Sequence, residues 1–139
     1  MTDQRRARRI ALNAPTNVEA VGQIEIQLHP ALEKVYQRVM PDRRAIGRKF
    51  PGVVRDLSTN GAFIAGEALP LLARVAFQFP LEGFGKVETL AWVLWRREAD
   101  CEVPLPDGEL ITLPRGFGVL FESLALEARI AIHKLCSAS

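Results

Sequence analysis

Asp56, Ser58, Asn60 and Gly61 fall within one short stretch, Asp56-Leu57-Ser58-Thr59-Asn60-Gly61, and are residue types that can grip a flat, polar ligand. An ionised carboxylate only accepts hydrogen bonds, whereas a serine hydroxyl both donates and accepts. Together they complement the edge of a guanine, which offers N–H donors at N1 and N2. Guanine O6 and N7 and any phosphate then need cations, and the planar arginine fork suits that task. Gln4-Arg5-Arg6-Ala7-Arg8-Arg9 supplies four such forks at the start of the chain.

The elements that must position these groups are short strands. Phe50-Pro51-Gly52-Val53-Val54 and Ala62-Phe63-Ile64 are β-prone runs on either side of the turn residues, so the polar stretch reads as a hairpin-like corner. On an extended backbone Asp56 and Ser58 leave by one face and Leu57 by the other. Asn60 and Gly61 can both take a positive φ, and Gly61 has no Cβ to keep a planar ligand off the backbone. Upstream, residues 1–10 lack hydrophobic periodicity and are expected to form a flexible Arg-rich arm. Ile10 to Asn17, interrupted by Pro15, leads to a strand over Val18 to Leu28, with Gly22 as a candidate bulge. Downstream, Ala73 to Phe79 and Val87 to Trp95 read as strands joined by a turn over Pro80 to Gly85. Parity puts Trp92 and Trp95 on opposite faces, so that only one is expected in the core. Residues 96–115 suit a small hairpin or a loop turning at Pro106-Asp107-Gly108, and Gly116 to Phe121 suits a short strand.

Two helices complete the reading. After Pro30, Leu32, Val35, Tyr36 and Val39 follow helical spacing and end before Pro41, giving a short amphipathic helix within residues 29–48. Near the C-terminus Ser123 can cap a helix over residues 123–136, with Leu124, Ala128, Ile132 and Leu135 on one stripe. Several short strands and then one helix argue for a mainly β fold, an antiparallel barrel closed at one end by that helix.

The chain has 139 residues, 48% hydrophobic and 24% charged, which suits one domain spanning 1–139. No apolar run approaches the roughly 20 residues of a membrane span, and no apolar stretch follows the arginines as in a secretory signal, so a cytoplasmic protein without membrane insertion is expected. Cys101 and Cys136 then read as two reduced thiols. The net charge of +2 is uneven: residues 1–9 carry +3 and residues 42–56 another +3, leaving −4 for the remainder. Such local positive charge favours a compact anionic ligand over the broad basic face expected for duplex DNA. Neither cysteine has an evident base, His29 and His133 show no ligand spacing, and no phosphate loop or HExxH pattern occurs. No catalytic residue, metal site or resident cofactor is therefore expected.

Arg5-x-x-x-Arg9, with Arg6 inside it, followed downstream by Asp56-x-Ser58-x-x-Gly61, resembles the two-part ligand motif of PilZ domains, bacterial receptors for cyclic di-GMP. The likeness runs from Arg5 to about Cys136, with residues 29–48 outside it as an insertion. It implies a six-stranded Greek-key barrel with Arg5, Arg6, Arg9, Asp56, Ser58 and Gly61 as the nucleotide site. Arg44-x-x-x-Arg48 also fits the first half-motif but lies too close to Asp56 for a family-like arrangement.

The resemblance implies a nonenzymatic second-messenger receptor, monomeric or homodimeric, that relays cyclic di-GMP to an unidentified effector protein by ordering its N-terminal arm. Motility, polysaccharide production and other surface behaviour are the implied settings. The alternative is an interaction adaptor of the same fold that does not bind the nucleotide, in which the inserted helix covers the ligand face or serves as the docking surface. Nucleic-acid binding by the arginine arm is a third, weaker reading, because no aromatic residues are interleaved with those arginines.

Overall fold

Alternating burial carries the strands. In the computed structural model, which describes residues 9–21 and 47–138, β1 spans Ile10–Val21, and its inward residues Ala14, Thr16, Val18 and Ala20 are all buried. It is followed by β2 (Lys49–Leu57), β3 (Gly61–Gly66), β4 (Arg74–Leu81), β5 (Gly85–Arg97), β6 (Cys101–Pro104), β7 (Leu110–Leu113), β8 (Gly116–Leu124) and the helix α1 (Leu126–Ala138). Six strands close into an antiparallel barrel in the order β1-β2-β3-β8-β5-β4, with β4 returning to β1. The β3–β4 connection therefore crosses the barrel, and β8 fills the place between β3 and β5.

Val54, Leu57, Ile64, Val75, Phe79, Val87, Val93 and Phe117 fill the interior, each at most 2% exposed. Helix α1 packs Ala128, Ile132 and Cys136 onto the same cluster, with Leu124, Ala131 and Leu135 at its margin. Ala128, Ile132 and Leu135 lie on the stripe expected from the 3.6-residue spacing, whereas Leu124, read with them, is the last residue of β8 and the helix starts only at Leu126. Burial alone pushes the Cys136 thiol pKa up, and its Sγ lies 3.7 Å from the Leu57 carbonyl. Cys101 is exposed, and no disulfide joins the two cysteines.

Several boundaries differ from the sequence reading. Ile10, grouped there with the arm, already pairs with Leu57, and β1 runs straight through Pro15. Pro15 faces Val53 of β2, but β1 pairs with β4 only from Asn17 onward, so its missing N–H falls on a side with no partner strand. Pro51 and Pro80 sit inside β2 and β4 on the same terms, beyond the last pairing with β3 and with β1 respectively. Residues 101–113 form the hairpin rather than the loop, with Gly108 at φ +92 in its turn and the Glu109 N–H donating to Asp107 Oδ1 at 2.9 Å. Ser123 does not cap α1. It belongs to β8, and its carbonyl accepts the Thr89 hydroxyl at 2.7 Å.

Neither tryptophan enters the core. A register shift between Val93 and Trp95 turns Leu94 and Trp95 outward in succession, so parity counted along β5 fails at that point. Trp92 lies on the outer face, where its Nε1–H donates to Glu122 Oε1 at 2.9 Å and Glu122 pairs with Arg74 at 2.6 Å. The short helix and insertion read at residues 29–48, apart from Gly47 and Arg48, lie outside the described residues, as do Gly22 and His29.

Candidate functional site

The barrel register brings the two half-motifs together. Ile10 faces Leu57 and Ala11 faces Asp56, so the chain preceding β1 emerges beside the loop that follows β2. Arg9, exposed and just ahead of β1, lines a cleft of about 630 Å³ with Asp56, Ser58, Asn60 and Gly61. Arg5, Arg6 and Arg8 lie outside the described residues. Arg48, the second arginine of the competing pattern, sits at the opposite end of β2 from Asp56, with its guanidinium 5.1 Å from the Phe50 ring centroid.

The loop itself is rigidly specified. The Ser58 N–H donates to the Gly61 carbonyl at 2.9 Å, and the Ser58 hydroxyl accepts N–H groups from Asn60 and Gly61 at 3.3 and 3.2 Å. Ser58 is accordingly buried, and its oxygen is turned into the corner rather than held out beside Asp56. The Asn60 carbonyl accepts from the Phe121 N–H at 2.8 Å, and the Thr59 carbonyl from Arg129 of α1 at 2.5 Å. Sheet and helix thus both hold the loop. Asp56 is half-buried at the rim, and among the described residues no donor reaches its carboxylate.

Neither Asn60 nor Gly61 uses the left-handed conformation open to it. Glycine is required at position 61 for another reason: a Cβ there would collide with the Val119 carbonyl of β8. The strand crossing, not the approach of a ligand, excludes a side chain.

A second cleft of about 510 Å³ continues from the first, sharing Arg9, Asp56, Phe63 and Trp95 with it and adding Arg55 and Arg97. A carboxylate acceptor, three guanidinium groups and an exposed indole therefore border one continuous surface. This combination can accept from a base edge, pair with phosphate and cover an aromatic face. Arg55, Phe63, Trp95 and Arg97 were not identified as site residues from the sequence. Trp95 and Arg97 stand at the far end of a long strand, and only the three-dimensional pairing of β3, β8 and β5 sets them near Asp56.

Compared with solved structures, the chain resembles the PilZ domain with c-di-GMP of YcgR from Escherichia coli, with a TM-score of 0.57 and 14% identity over 97% of this chain and 90% of that one. The chain carries the PilZ fold. The Bacillus subtilis inhibitor of motility MotI/DgrA is similar over 96% of this chain, with a TM-score of 0.55 and 12% identity, and this chain spans 50% of its length. Protein-family models and curated proteins gave no match to the sequence. On the PilZ barrel, the described members of the motif pair, Arg9, Asp56, Ser58 and Gly61, all border the same cleft. Among the described residues no group of His, Cys, Asp and Glu is arranged to hold a metal ion, and no helix is long and apolar enough to cross a membrane.

Proposed function

We propose that this chain is a cyclic di-GMP receptor that relays the level of the messenger to a partner protein. The observation that carries the reading is the convergence of Arg9 with Asp56 and its loop on one cleft, brought about by the β1–β2 register. Its volume of about 630 Å³ lies within the roughly 300–1,000 Å³ of small-molecule sites. In this reading Asp56 accepts the N–H edge of a guanine, and Arg9 pairs with phosphate or with guanine O6 and N7. Arg5 and Arg6 are tethered within about 14 Å of Arg9 by chain length alone, and add phosphate contacts. Ser58 holds the loop in shape, and Gly61 permits the strand crossing that sets it. The arginine segment closes on the nucleotide and thereby changes the surface that an effector meets. The PilZ fold and the c-di-GMP named with the YcgR domain support this reading, and the MotI/DgrA likeness supports a motility setting.

The test is calorimetric titration of cyclic di-GMP into the wild type, Arg9→Ala and Asp56→Ala. Each lost bidentate contact is worth about 1–3 kcal/mol, so affinity should fall by about 5- to 150-fold while thermal unfolding stays near that of the wild type. Wild-type affinity in both variants would place the ligand elsewhere. The adaptor reading draws on one observation, the engagement of the Ser58 hydroxyl within its own loop. It predicts no thermal stabilisation by the nucleotide.

A further inference from the structure

We infer that the free edge of β7 pairs with the same edge of a second copy of this chain, joining two β6–β7 hairpins into one four-stranded sheet. The inference stands apart from nucleotide binding. The hairpin continues the β5–β8 ladder beyond its last pair, Arg97–Gly116, and its two strands pair with each other and with no barrel strand. It carries Val103, Leu105, Leu110, Ile111 and Leu113, yet no residue from Cys101 to Leu113 is buried. Leu110 is 62% exposed and Ile111 40%. A two-stranded hairpin on its own is marginally stable in water, and both of its strands are edges, whose unpaired N–H and C=O groups form a template for another strand.

The two edges are not alike. Glu102 and Pro104 lie in β6 and Pro106 follows it, so that edge carries the charge and the prolines that block strand addition. In contrast β7, Leu110-Ile111-Thr112-Leu113, has neither charge nor proline. Its backbone direction is fixed by the turn. The Leu105 N–H donates to the Glu109 carbonyl at 2.7 Å, which makes Leu105 and Glu109 a hydrogen-bonded pair. Counting along the register, Val103–Ile111 and Cys101–Leu113 are bonded pairs too, and the intervening Leu110 and Thr112 turn their N–H and C=O groups to the free side. Pro104 agrees with this count, because it faces Leu110 and the N–H that it lacks therefore belongs to the outer edge of β6.

A second copy fits the β7 edge in one antiparallel register. With Leu110 of one copy facing Thr112 of the other, every outward residue is used, about four backbone hydrogen bonds form, and the two-fold axis passes between the two Ile111 residues. The flanking charges decide who the partner is. Asp107 and Glu109 precede β7 and Arg115 follows it, all three exposed, so the segment is acidic at one end and basic at the other. Arg115 is held at the root of the hairpin, where its Nε donates to the Gly66 carbonyl at 3.0 Å. Antiparallel self-pairing sets Asp107 and Glu109 of each copy alongside Arg115 of the other, at both ends of the new sheet. Within one copy Glu109 and Arg115 stand about 20 Å apart along the extended strand, too far to pair.

The experiment is sedimentation velocity of the full chain without nucleotide, from about 5 to about 500 μM, a range suited to a small interface. The average mass should rise with concentration from the 15.4 kDa of one chain towards that of two. Leu110→Pro removes an outward N–H and spares the hairpin's own ladder, so it should stay monomeric with an unchanged Tm. Glu109→Arg and Arg115→Glu should each weaken self-association by roughly fivefold, and the double variant should recover it. Cross-linking gives a second readout. In a Cys101→Ser background, Ile111→Cys should form an intermolecular disulfide under mild oxidation and the more exposed Leu110→Cys should not, because only position 111 meets itself across the axis. A wild type that stays monomeric throughout would overturn the inference, leaving the edge to a strand of another protein and the nucleotide site untouched. A dimer that persists in Leu110→Pro, or cross-linking as ready at position 110 as at 111, would overturn the edge pairing.

Discussion

Substituting Gly61 by alanine separates a packing role from a ligand role at the last position of the half-motif. The Cβ of alanine would meet the Val119 carbonyl, and that oxygen is backbone in β8, held in the ladder by the pairs Gly61–Leu120 and Ala62–Val119. Nothing flexible can move aside, so β3 and β8 must separate locally. Overpacking of this kind costs about 1–3 kcal/mol, and the rigidity of the obstacle argues for the upper half, about 2–3 kcal/mol. For a chain of this size each kcal/mol lowers Tm by roughly 3–5 °C, so Gly61→Ala should melt about 6–15 °C below the wild type. Gly118→Ala is the informative contrast, because there the obstacle is the Trp95 side chain, which can swing outward and uncover Phe63. Its loss should be smaller, about 1 kcal/mol, with a rise in tryptophan exposure. Both are read by thermal and denaturant unfolding. A Gly61→Ala protein that melts with the wild type yet loses nucleotide binding would refute the packing account and return Gly61 to a direct role at the ligand.

Two further outcomes follow from the outer face and the helix. The Arg74 hydrogen bond, aided by Trp92 and by the charge of Arg74 and only partly opposed by desolvation, holds the Glu122 carboxyl below its ordinary pKa of 4.5. Because the folded value is the lower one, the pair contributes stability above the unfolded value and loses it as pH falls through the folded value. Glu122→Gln should therefore cost about 0.5 kcal/mol at pH 7, a solvent-screened surface magnitude, and the deficit should fade in denaturant melts as the pH is taken below 4.5. Thiol labelling at pH 8 should modify Cys101 rapidly and Cys136 only on unfolding, since Cys136 is 3% exposed and its thiol pKa is raised by burial. Equal rates in the native protein would mean that α1 does not stay packed on the barrel.

The parts of the fold that were legible in the sequence are those in which one periodicity runs unbroken. Val75, Phe77 and Phe79 alternate inward along β4, and Ala128, Ile132 and Leu135 mark the inner side of α1, as their spacing indicates. The corner between β2 and β3 was legible because turn residues sit between two β-prone runs. What was lost depends on partners that a local pattern does not contain. Pro15 looks like a break until one knows that β4 has not yet joined β1 at that point. Trp95 looks like an inward residue until the irregular pairing of β5 with β8 is seen. Ser58 was read as a group presented to a ligand, because alternation gives the face of a side chain but not the turn into which its hydroxyl folds. Of the site, the motif residues Arg9 and Asp56 could be paired only through resemblance, and Phe63, Trp95 and Arg97 join them only through the closure of the barrel.

The most direct measurement is thermal unfolding of the full chain in rising concentrations of cyclic di-GMP, with a matched series of a guanine-free polyanion. A receptor with this cleft should be stabilised by about 2.7 kcal/mol at a free ligand concentration about 100 times its Kd, which raises Tm by roughly 8–13 °C, and the polyanion should not reproduce the shift. An unchanged Tm at about 1 mM nucleotide, or an equal shift with the polyanion, would contradict the account.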